Sequence, residues 1–246
     1  MYPSFPGGLW WDTPYGLQIA PWDQALTSAQ MDRILVNFKT CTSSNQFSVC
    51  FFIHWKQIQL YLEAMNDAQL WDIHLNCWYK PNQTVCGLNT QVTNAIEHFI
   101  IGRYSNGKHA DFNTPWKEDD PRKRQNHFEW PTNSVYAKHA DGTKVNPTEK
   151  PPECIKWWLR RNVFPGDHII ICGGGAGGDV RGALEYGCSV TIIEQDPQQF
   201  KHLCNLVQTW DAEQAKAKTN LAILAAKEKA AKQPVLTLQP VSLVTI

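Results

Sequence analysis

The stretch Pro165-Gly-Asp-His-Ile-Ile-Ile-Cys-Gly-Gly-Gly-Ala-Gly-Gly-Asp179 decides the fold of this chain. A short turn leads into the β-branched run His168 to Cys172, and five glycines follow within residues 173–178. Glycine lets a backbone come close to a ligand where any Cβ would collide. The pattern predicts a buried strand over His168 to Cys172, a glycine loop, and a helix near Val180 to Tyr186.

An acid stands at the tip of the next predicted strand, Ser189 to Glu194, and Asp196 follows two residues later. A carboxylate about 20 residues beyond such a loop suits the hydroxyls of a ribose. We therefore predict an adenosine-containing ligand, held by Glu194 or Asp196 and by the glycines of the loop. Those glycines are Gly173, Gly175 and Gly177. The alternative is a tight strand-to-helix turn that binds no ligand. A phosphate-binding loop is disfavoured, because no Lys-Ser or Lys-Thr follows the glycines.

Hydrophobic patterning elsewhere predicts strands that alternate with helices. The predicted strands are 9–11, 47–55, 71–79 and 95–102, and the predicted helices are 23–38, 57–69 and 154–162. This alternation is typical of an α/β fold with a mostly parallel, doubly wound sheet that carries helices on both faces. We interpret His54, His74 and His98 as core histidines of the strands.

The chain of 246 residues is predicted to form a single domain, 1–246. Residues 104–145 are polar and contain several prolines, which indicates an inserted functional region rather than a plain connection. Residues 208–246 include an Ala/Lys-rich segment that predicts a C-terminal helix and tail. This helix is either docked, bound to a partner, or a mobile tail.

Composition excludes several classes of protein. Lys plus Arg and Asp plus Glu both number 23, so bulk charge does not hold this chain on a nucleic acid. No apolar run is long enough for a transmembrane helix, and no secretory signal is predicted. The eight cysteines include no CxxC pair, and Cys50, Cys172, Cys188 and Cys204 lie in segments predicted to be core. We expect reduced thiols, no metal site and an intracellular location, cytoplasmic or nuclear.

A second motif, Asp12-Thr13-Pro14-Tyr15, follows the first predicted strand. Asp12 can accept a hydrogen bond from an exocyclic amine, the carbonyl before Pro14 can accept another, and Tyr15 can stack on a ring. Such contacts would leave a nitrogen lone pair exposed for in-line attack on a methyl group. The alternative is a simple β-turn with Asp at its first position.

These motifs together resemble the amino-group DNA methyltransferases that use S-adenosylmethionine, in the class whose catalytic motif precedes the cofactor motif. Members of that family carry Asp-Pro-Pro-Tyr or Ser-Pro-Pro-Tyr early, where this chain has Asp12-Thr13-Pro14-Tyr15. A His-Pro-Thr-Gln-Lys-Pro-like element follows the variable region, and here it is Asn146-Pro-Thr-Glu-Lys-Pro151. The cofactor motif, preceded by Pro-Gly-Asp, comes last. The resemblance covers most of residues 8–205, and its specificity lies in the order of the elements.

The resemblance implies methyl transfer from S-adenosylmethionine to an exocyclic amine of a flipped DNA base. Asp rather than Ser at position 12 implies adenine N6 more than cytosine N4. Lys150 would reach the cofactor carboxylate, and region 104–145 would recognise the target, for which it offers Arg122, Lys123, Arg124 and Trp116. These four residues have bland alternatives, a solvated loop and core packing. An RNA adenine methyltransferase with the same chemistry, and a homodimer or a partner subunit, remain open.

Two departures from the family pattern stand out. Thr13 replaces the first proline of the catalytic motif, which is expected to loosen the turn. Ile171, Cys172 and Gly173 stand where the family carries Asp-Pro-Phe before its glycines. The departures raise a second hypothesis, a methyltransferase-like subunit without catalysis that binds DNA or an active partner.

Overall fold

The computed structural model describes residues 6–14, 24–42, 46–81, 95–105, 126–132 and 149–231, with side chains from residue 7 to residue 216. The chain divides into two compact units, residues 1–203 and 204–246. Across the described ranges, no helix combines the length and hydropathy needed to cross a membrane.

Seven strands and five α-helices make up the described part of the chain. The strands are β1 (Pro6–Asp12), β2 (Gln46–Ile53), β3 (Trp71–Tyr79), β4 (Ile96–Ser105), β5 (His127–Glu129), β6 (His168–Cys172) and β7 (Ser189–Ile193). The helices are α1 (Ser28–Cys41), α2 (Ile58–Asp67), α3 (Pro152–Asn162), α4 (Gly178–Tyr186) and α5 (Pro197–Ala231), and a 3-10 turn spans Trp55–Gln57.

The strands form one mixed sheet in the order β5-β3-β4-β2-β1-β6-β7. The neighbouring pairs β1–β2, β1–β6, β6–β7 and β3–β5 are parallel, whereas β4 runs antiparallel to both β2 and β3. The predicted mostly parallel α/β sheet is therefore confirmed. The carboxyl ends of β1, β6 and β7 lie side by side at one edge, which is where open α/β sheets bind ligands.

Helices cover both faces of the sheet. On one face, Met31 and Leu35 of α1 and Tyr61 of α2 join the alternate residues of β2 in one buried cluster. On the other face, Trp158 of α3 packs on Trp10 of β1, with ring centroids 5.6 Å apart. This arrangement confirms the predicted double winding, because the alternating side chains of a central strand must be buried on both sides.

Most predicted elements occur, and their boundaries differ where a cap sets the end. Helix α1 begins at Ser28, five residues after the predicted start, because Thr27 and Gln30 form a capping box. Helix α5 begins well before the predicted residue 211, directly after Asp196. The segment predicted as an insertion contributes β5, which pairs with β3.

Two predictions of burial are wrong in part. Cys50 and Cys188 are buried as expected, but Cys204 is exposed. His74 lies on β3 with most of its side chain exposed, so it is not a core histidine. It contacts the carboxylate of Asp72 at 2.6 Å.

Candidate active site

The Asp12 turn and the glycine loop meet at the carboxyl edge of the sheet. The pairing of β1 with β6 places Trp11 opposite Cys172, so both strands end at the same level. A Cβ on Gly173 would lie 3.3 Å from the carbonyl oxygen of Asp12. The loop therefore packs closely against the end of β1, and it brings two distant sequence motifs into one site.

A cavity of about 810 Å³ opens beside these strand ends, between the sheet and helix α1. Its sheet side is apolar and includes Leu9, Ile170 and Ile193, while Gln30 and Asn37 of α1 contribute polar groups. Six residues that the sequence marked for the site line this cavity: Asp12, Pro14, Gly173, Gly175, Glu194 and Asp196. The volume and this mixed lining are typical of a small-molecule site.

The backbone of the glycine loop explains much of its composition. Gly175 and Gly177 have φ values of +51° and +92°, a region that residues with a Cβ rarely adopt. At Gly178, a Cβ would lie 2.1 Å from the carbonyl oxygen of Lys150. The loop is thus a tight strand-to-helix turn, and the same turn forms one wall of the cavity.

The carboxylate of Glu194 ties the loop to the end of β7. Its Oε2 accepts a hydrogen bond from the Gly175 N–H at 2.9 Å, and its Oε1 accepts one from the Asp196 N–H at 2.9 Å. An ionised carboxylate offers about four acceptor positions, so acceptor capacity remains on the cavity side. Asp196 has a different role, because its Oδ1 accepts hydrogen bonds from the N–H groups of Gln198 and Gln199 and caps α5.

The turn after β1 is anchored rather than loose. Thr13 donates its hydroxyl to the Phe52 carbonyl at 2.5 Å and its N–H to the same oxygen at 3.3 Å. Gln57 donates its side-chain amide to the Pro14 carbonyl at 3.0 Å. The expectation that Thr13 loosens the turn is therefore wrong, since the hydroxyl binds β2 where a proline could donate nothing. No motif pointed to Gln57, because its partner is a backbone atom far away in the chain.

Lys150 lies beside Asp12 rather than along the cavity wall. Its Nζ is 2.5 Å from Asp12 Oδ2 and 3.5 Å from Glu97 Oε2, and its side chain is only 4% exposed. Burial alone would lower the pKa of this lysine, but the carboxylates of Asp12 and Glu97 outweigh that effect and raise the pKa above its ordinary value. Lys150 is therefore a charged group in a buried ion-pair cluster. The residues lining the cavity do not include it.

Asp179 is a buried carboxyl that the sequence argument did not mark. It lies in the first turn of α4, and its Oδ1 has no hydrogen-bond partner among the described residues. Burial raises its pKa to about 7, although Lys150 and the nearby indole of Trp10 act in the opposite direction. The acid directly after the glycines was the available signal, but an acid in a first helical turn is also the ordinary complement of the helix dipole.

Five of the predicted site residues lie outside the described residues. They are Tyr15, Trp116, Arg122, Lys123 and Arg124.

Solved structures with the same fold are DNA methyltransferases. The chain resembles the M1.HpyAVI–SAM complex with a TM-score of 0.58 and 14% identity, over 81% of this chain and 88% of that one. It resembles the PvuII cytosine-N4-specific DNA methyltransferase with a TM-score of 0.57 and 13% identity, over 82% and 79% of the two chains.

A third similar structure is the DNA modification methylase TTHA0409 from Thermus thermophilus, solved in complex with S-adenosyl-L-methionine. Its TM-score is 0.52 at 13% identity, over 82% of this chain and 87% of that one. No protein-family model matches the chain, and no curated protein matches its sequence. At this level of identity, the comparison establishes that the chain has the Rossmann-like fold of these DNA methyltransferases.

Proposed function

We propose that this protein transfers a methyl group from S-adenosylmethionine to an exocyclic amine of a nucleic-acid base, most favourably adenine N6 in DNA. One observation carries the proposal: the Asp12 turn and the Gly173 to Gly177 loop border the same cavity at the carboxyl edge of the sheet. A group held by Asp12 would therefore face a ligand held by the loop. The fold shared with solved DNA methyltransferases supports the same reaction class.

The cavity suits the proposed cofactor on its chemistry. Glu194 presents a carboxylate for ribose hydroxyls, and Ile170 and Ile193 offer apolar surface for a purine ring. The glycine loop brings backbone close to the ligand without side chains in between. When bound, S-adenosylmethionine supplies an electrophilic methyl group on a sulfonium. We assign Gly173, Gly175, Gly177 and Glu194 to cofactor binding, with Asp196 supporting them as the cap of α5.

The Asp12 turn performs the substrate side of the reaction. Asp12 accepts a hydrogen bond from the amine, and the Thr13 carbonyl ahead of Pro14 accepts the other. Two acceptors on the amine hydrogens direct the nitrogen lone pair toward the methyl group, as in-line attack requires. The Asp12 carboxylate also stabilises positive charge that develops on nitrogen. Tyr15 stacks on the base, which must leave the duplex to reach this site.

Recognition of the nucleic acid is assigned to region 104–145. Arg122, Lys123 and Arg124 contact phosphates, and Trp116 stacks on a base or fills the space left by a flipped one. We treat this region and the segment 208–246 as additions to one methyltransferase-like domain that acts inside the cell. The net charge of 0 favours such a local basic patch over charge spread across the surface.

A second candidate function is a non-catalytic subunit that binds DNA or an active partner. Ile171 occupies the place of the acid in the family's cofactor motif, its side chain is fully buried, and it does not line the cavity. Glu194 is then the acid that the described strand ends offer to a cofactor from the β7 side. Weak or absent cofactor binding would favour this second function.

Two measurements test the proposal together. Calorimetry with S-adenosylmethionine tests binding, and single-turnover transfer of a labelled methyl group to DNA and RNA pools tests the chemistry. We expect micromolar binding and label on adenine in DNA. Label on cytosine would correct the base, and label on RNA alone would correct the nucleic acid. Binding without transfer, or no binding, would favour the non-catalytic subunit.

A further inference from the structure

Four alternating charges form a chain across the sheet at the candidate active site. Lys150 Nζ lies between the carboxylates of Asp12 and Glu97, and Lys80 forms an ion pair with the other oxygen of Glu97. The side chains of Lys150 and Lys80 are 4% and 11% exposed. Ion pairs buried to this extent are screened little by solvent, so each charge strongly affects its neighbours.

Strand pairing explains why Lys150 must bridge. Asp12 on β1 pairs with Phe52 on β2, and Phe52 pairs with Phe99 on β4, two residues from Glu97. The central strand therefore places an apolar ring between the two carboxylates. Lys150 Nζ lies 4.6 Å from the centroid of that ring and reaches across it. The ring also fills the space through which water would otherwise hydrate the ammonium group.

The outer half of the chain fixes Glu97. Burial alone would raise the pKa of Glu97, but Lys150 and Lys80 lower it below its ordinary value, so Glu97 is a carboxylate. Lys80 follows β3 and lies 4.8 Å from the Trp78 ring, and the indole of Trp78 donates to the Trp130 carbonyl at 2.7 Å. These contacts attach Lys80 to the sheet and leave Glu97 little freedom to rotate.

We propose that Glu97 is a positioning residue of this site: it holds Lys150 against Asp12 and thereby fixes the orientation and the charge of the Asp12 carboxylate. Glu97 acts on the substrate only through Lys150 and Asp12. Without it, the ammonium group has one carboxylate partner fewer and can turn away, and Asp12 then loses the contact that keeps one of its oxygens in place. The inference rests on the proposed function, because it gives Asp12 the task of holding the amine.

The test is a double-mutant cycle between Asp12→Asn and Glu97→Gln, with the single-turnover methylation rate and cofactor affinity as readouts. We expect Glu97→Gln to slow transfer about tenfold, within the range of couplings inside one ion-pair network. Cofactor affinity should be unchanged. The double variant should be no slower than Asp12→Asn alone, because both changes remove the same orienting contact. Rate losses that multiply would overturn the proposal.

Two further variants separate positioning from general damage. Glu97→Asp keeps the charge and should recover most of the rate, whereas a merely structural loss would not follow the charge. Glu63→Gln on the exposed side of α2 is the matched control and should leave the rate at the parental value. Loss of rate in Glu97→Asp equal to that in Glu97→Gln would also count against the proposal.

A parent that transfers no methyl group would refute the proposed function without deciding the role of Glu97. The same cycle is then measured as urea unfolding of the four proteins. We expect a coupling between Asp12 and Glu97 of about tenfold in the unfolding equilibrium constant, transmitted by Lys150. Independent effects of the two substitutions on unfolding would refute the positioning role.

Discussion

Lys150 Nζ lies 2.5 Å from Asp12 Oδ2, although the two residues are 138 positions apart in the chain. The pair joins the turn after β1 to the segment that leads into α3. Because the ammonium group is nearly inaccessible to solvent, it stays charged and keeps the facing carboxylate charged as well. The relationship assigns Lys150 to the substrate side of the site, whereas its motif had pointed to the cofactor.

Asp12→Asn should lower the methylation rate by about 10² to 10³, the usual loss for one preorganised contact that stabilises developing charge. The amide has no charge and can point a donor at the amine. Binding of S-adenosylmethionine should be retained, since Glu194 and the loop are unchanged. Single-turnover rates and calorimetry check the two halves, and an Asp12→Asn protein with the parental rate would remove Asp12 from the mechanism.

Glu194→Gln should weaken S-adenosylmethionine binding by about 10- to 100-fold, the range for a hydrogen bond to a charged group. A glutamine side chain has one acceptor oxygen, so it cannot accept from both Gly175 and Asp196 and from a ribose. Calorimetry measures the loss. Glu213→Gln, on an exposed part of α5, is the control. Equal affinity of Glu194→Gln and the parent would place the ribose elsewhere.

Thr13→Val should destabilise the fold by about 1 kcal/mol, because it removes the hydroxyl that donates to the Phe52 carbonyl and keeps the shape of the side chain. The methylation rate should fall as well, since the carbonyl ahead of Pro14 then has more freedom. Thr13→Ser retains the hydroxyl and serves as the comparison. Urea unfolding gives the stability, and a Val variant as stable as the Ser variant would show that this hydrogen bond contributes nothing.

Asp179 should make the fold less stable as the pH rises. Its pKa is raised from an ordinary 3.8 to about 7 in the folded state. The folded protein therefore holds a proton that the unfolded chain has released. The stabilisation is complete below about pH 4 and is lost as the pH rises through about 7.

Asp179→Asn removes this titration. The parent should lose at most about 4 kcal/mol between about pH 4 and pH 8 through this group, from 1.4 kcal/mol per pKa unit. The variant should show a flatter profile and should be more stable than the parent at pH 8. Urea unfolding over that range tests both statements. Parallel profiles for the two proteins would show that Asp179 is already ionised in the folded state at low pH.

Replacing Arg122, Lys123 and Arg124 with Ala should weaken DNA binding about equally for all sequences. The slope of log K against log salt should decrease by up to about 3, because each phosphate contact contributes about 0.9. Fluorescence anisotropy over a salt series measures both. Arg33→Ala, on α1, is the control. An unchanged slope in the triple variant would identify the cluster as a solvated loop.

The fold could be predicted from the sequence because its signals are local. The β-branched run before the glycines and the acid beyond the next strand both depend on neighbouring residues, and the predicted strand His168 to Cys172 matches β6. The position of the cavity also followed in outline, since strands that run parallel must end at the same edge. Antiparallel β4 could not be predicted, because its direction depends on how the chain returns to the sheet.

The sequence by itself determined the order of strand, glycine loop, helix and acid, and with it the edge of the sheet that carries the site. Only the tertiary structure decided the partners of the charged and polar groups. Lys150 is long enough to reach several of them, and it meets Asp12 and Glu97 because β1, β2 and β4 are adjacent. Thr13 replaces a proline without loosening the turn, because Phe52 presents a carbonyl beside it. Such contacts depend on which strands become neighbours, and buried charges must then find partners in whatever surroundings the packing creates.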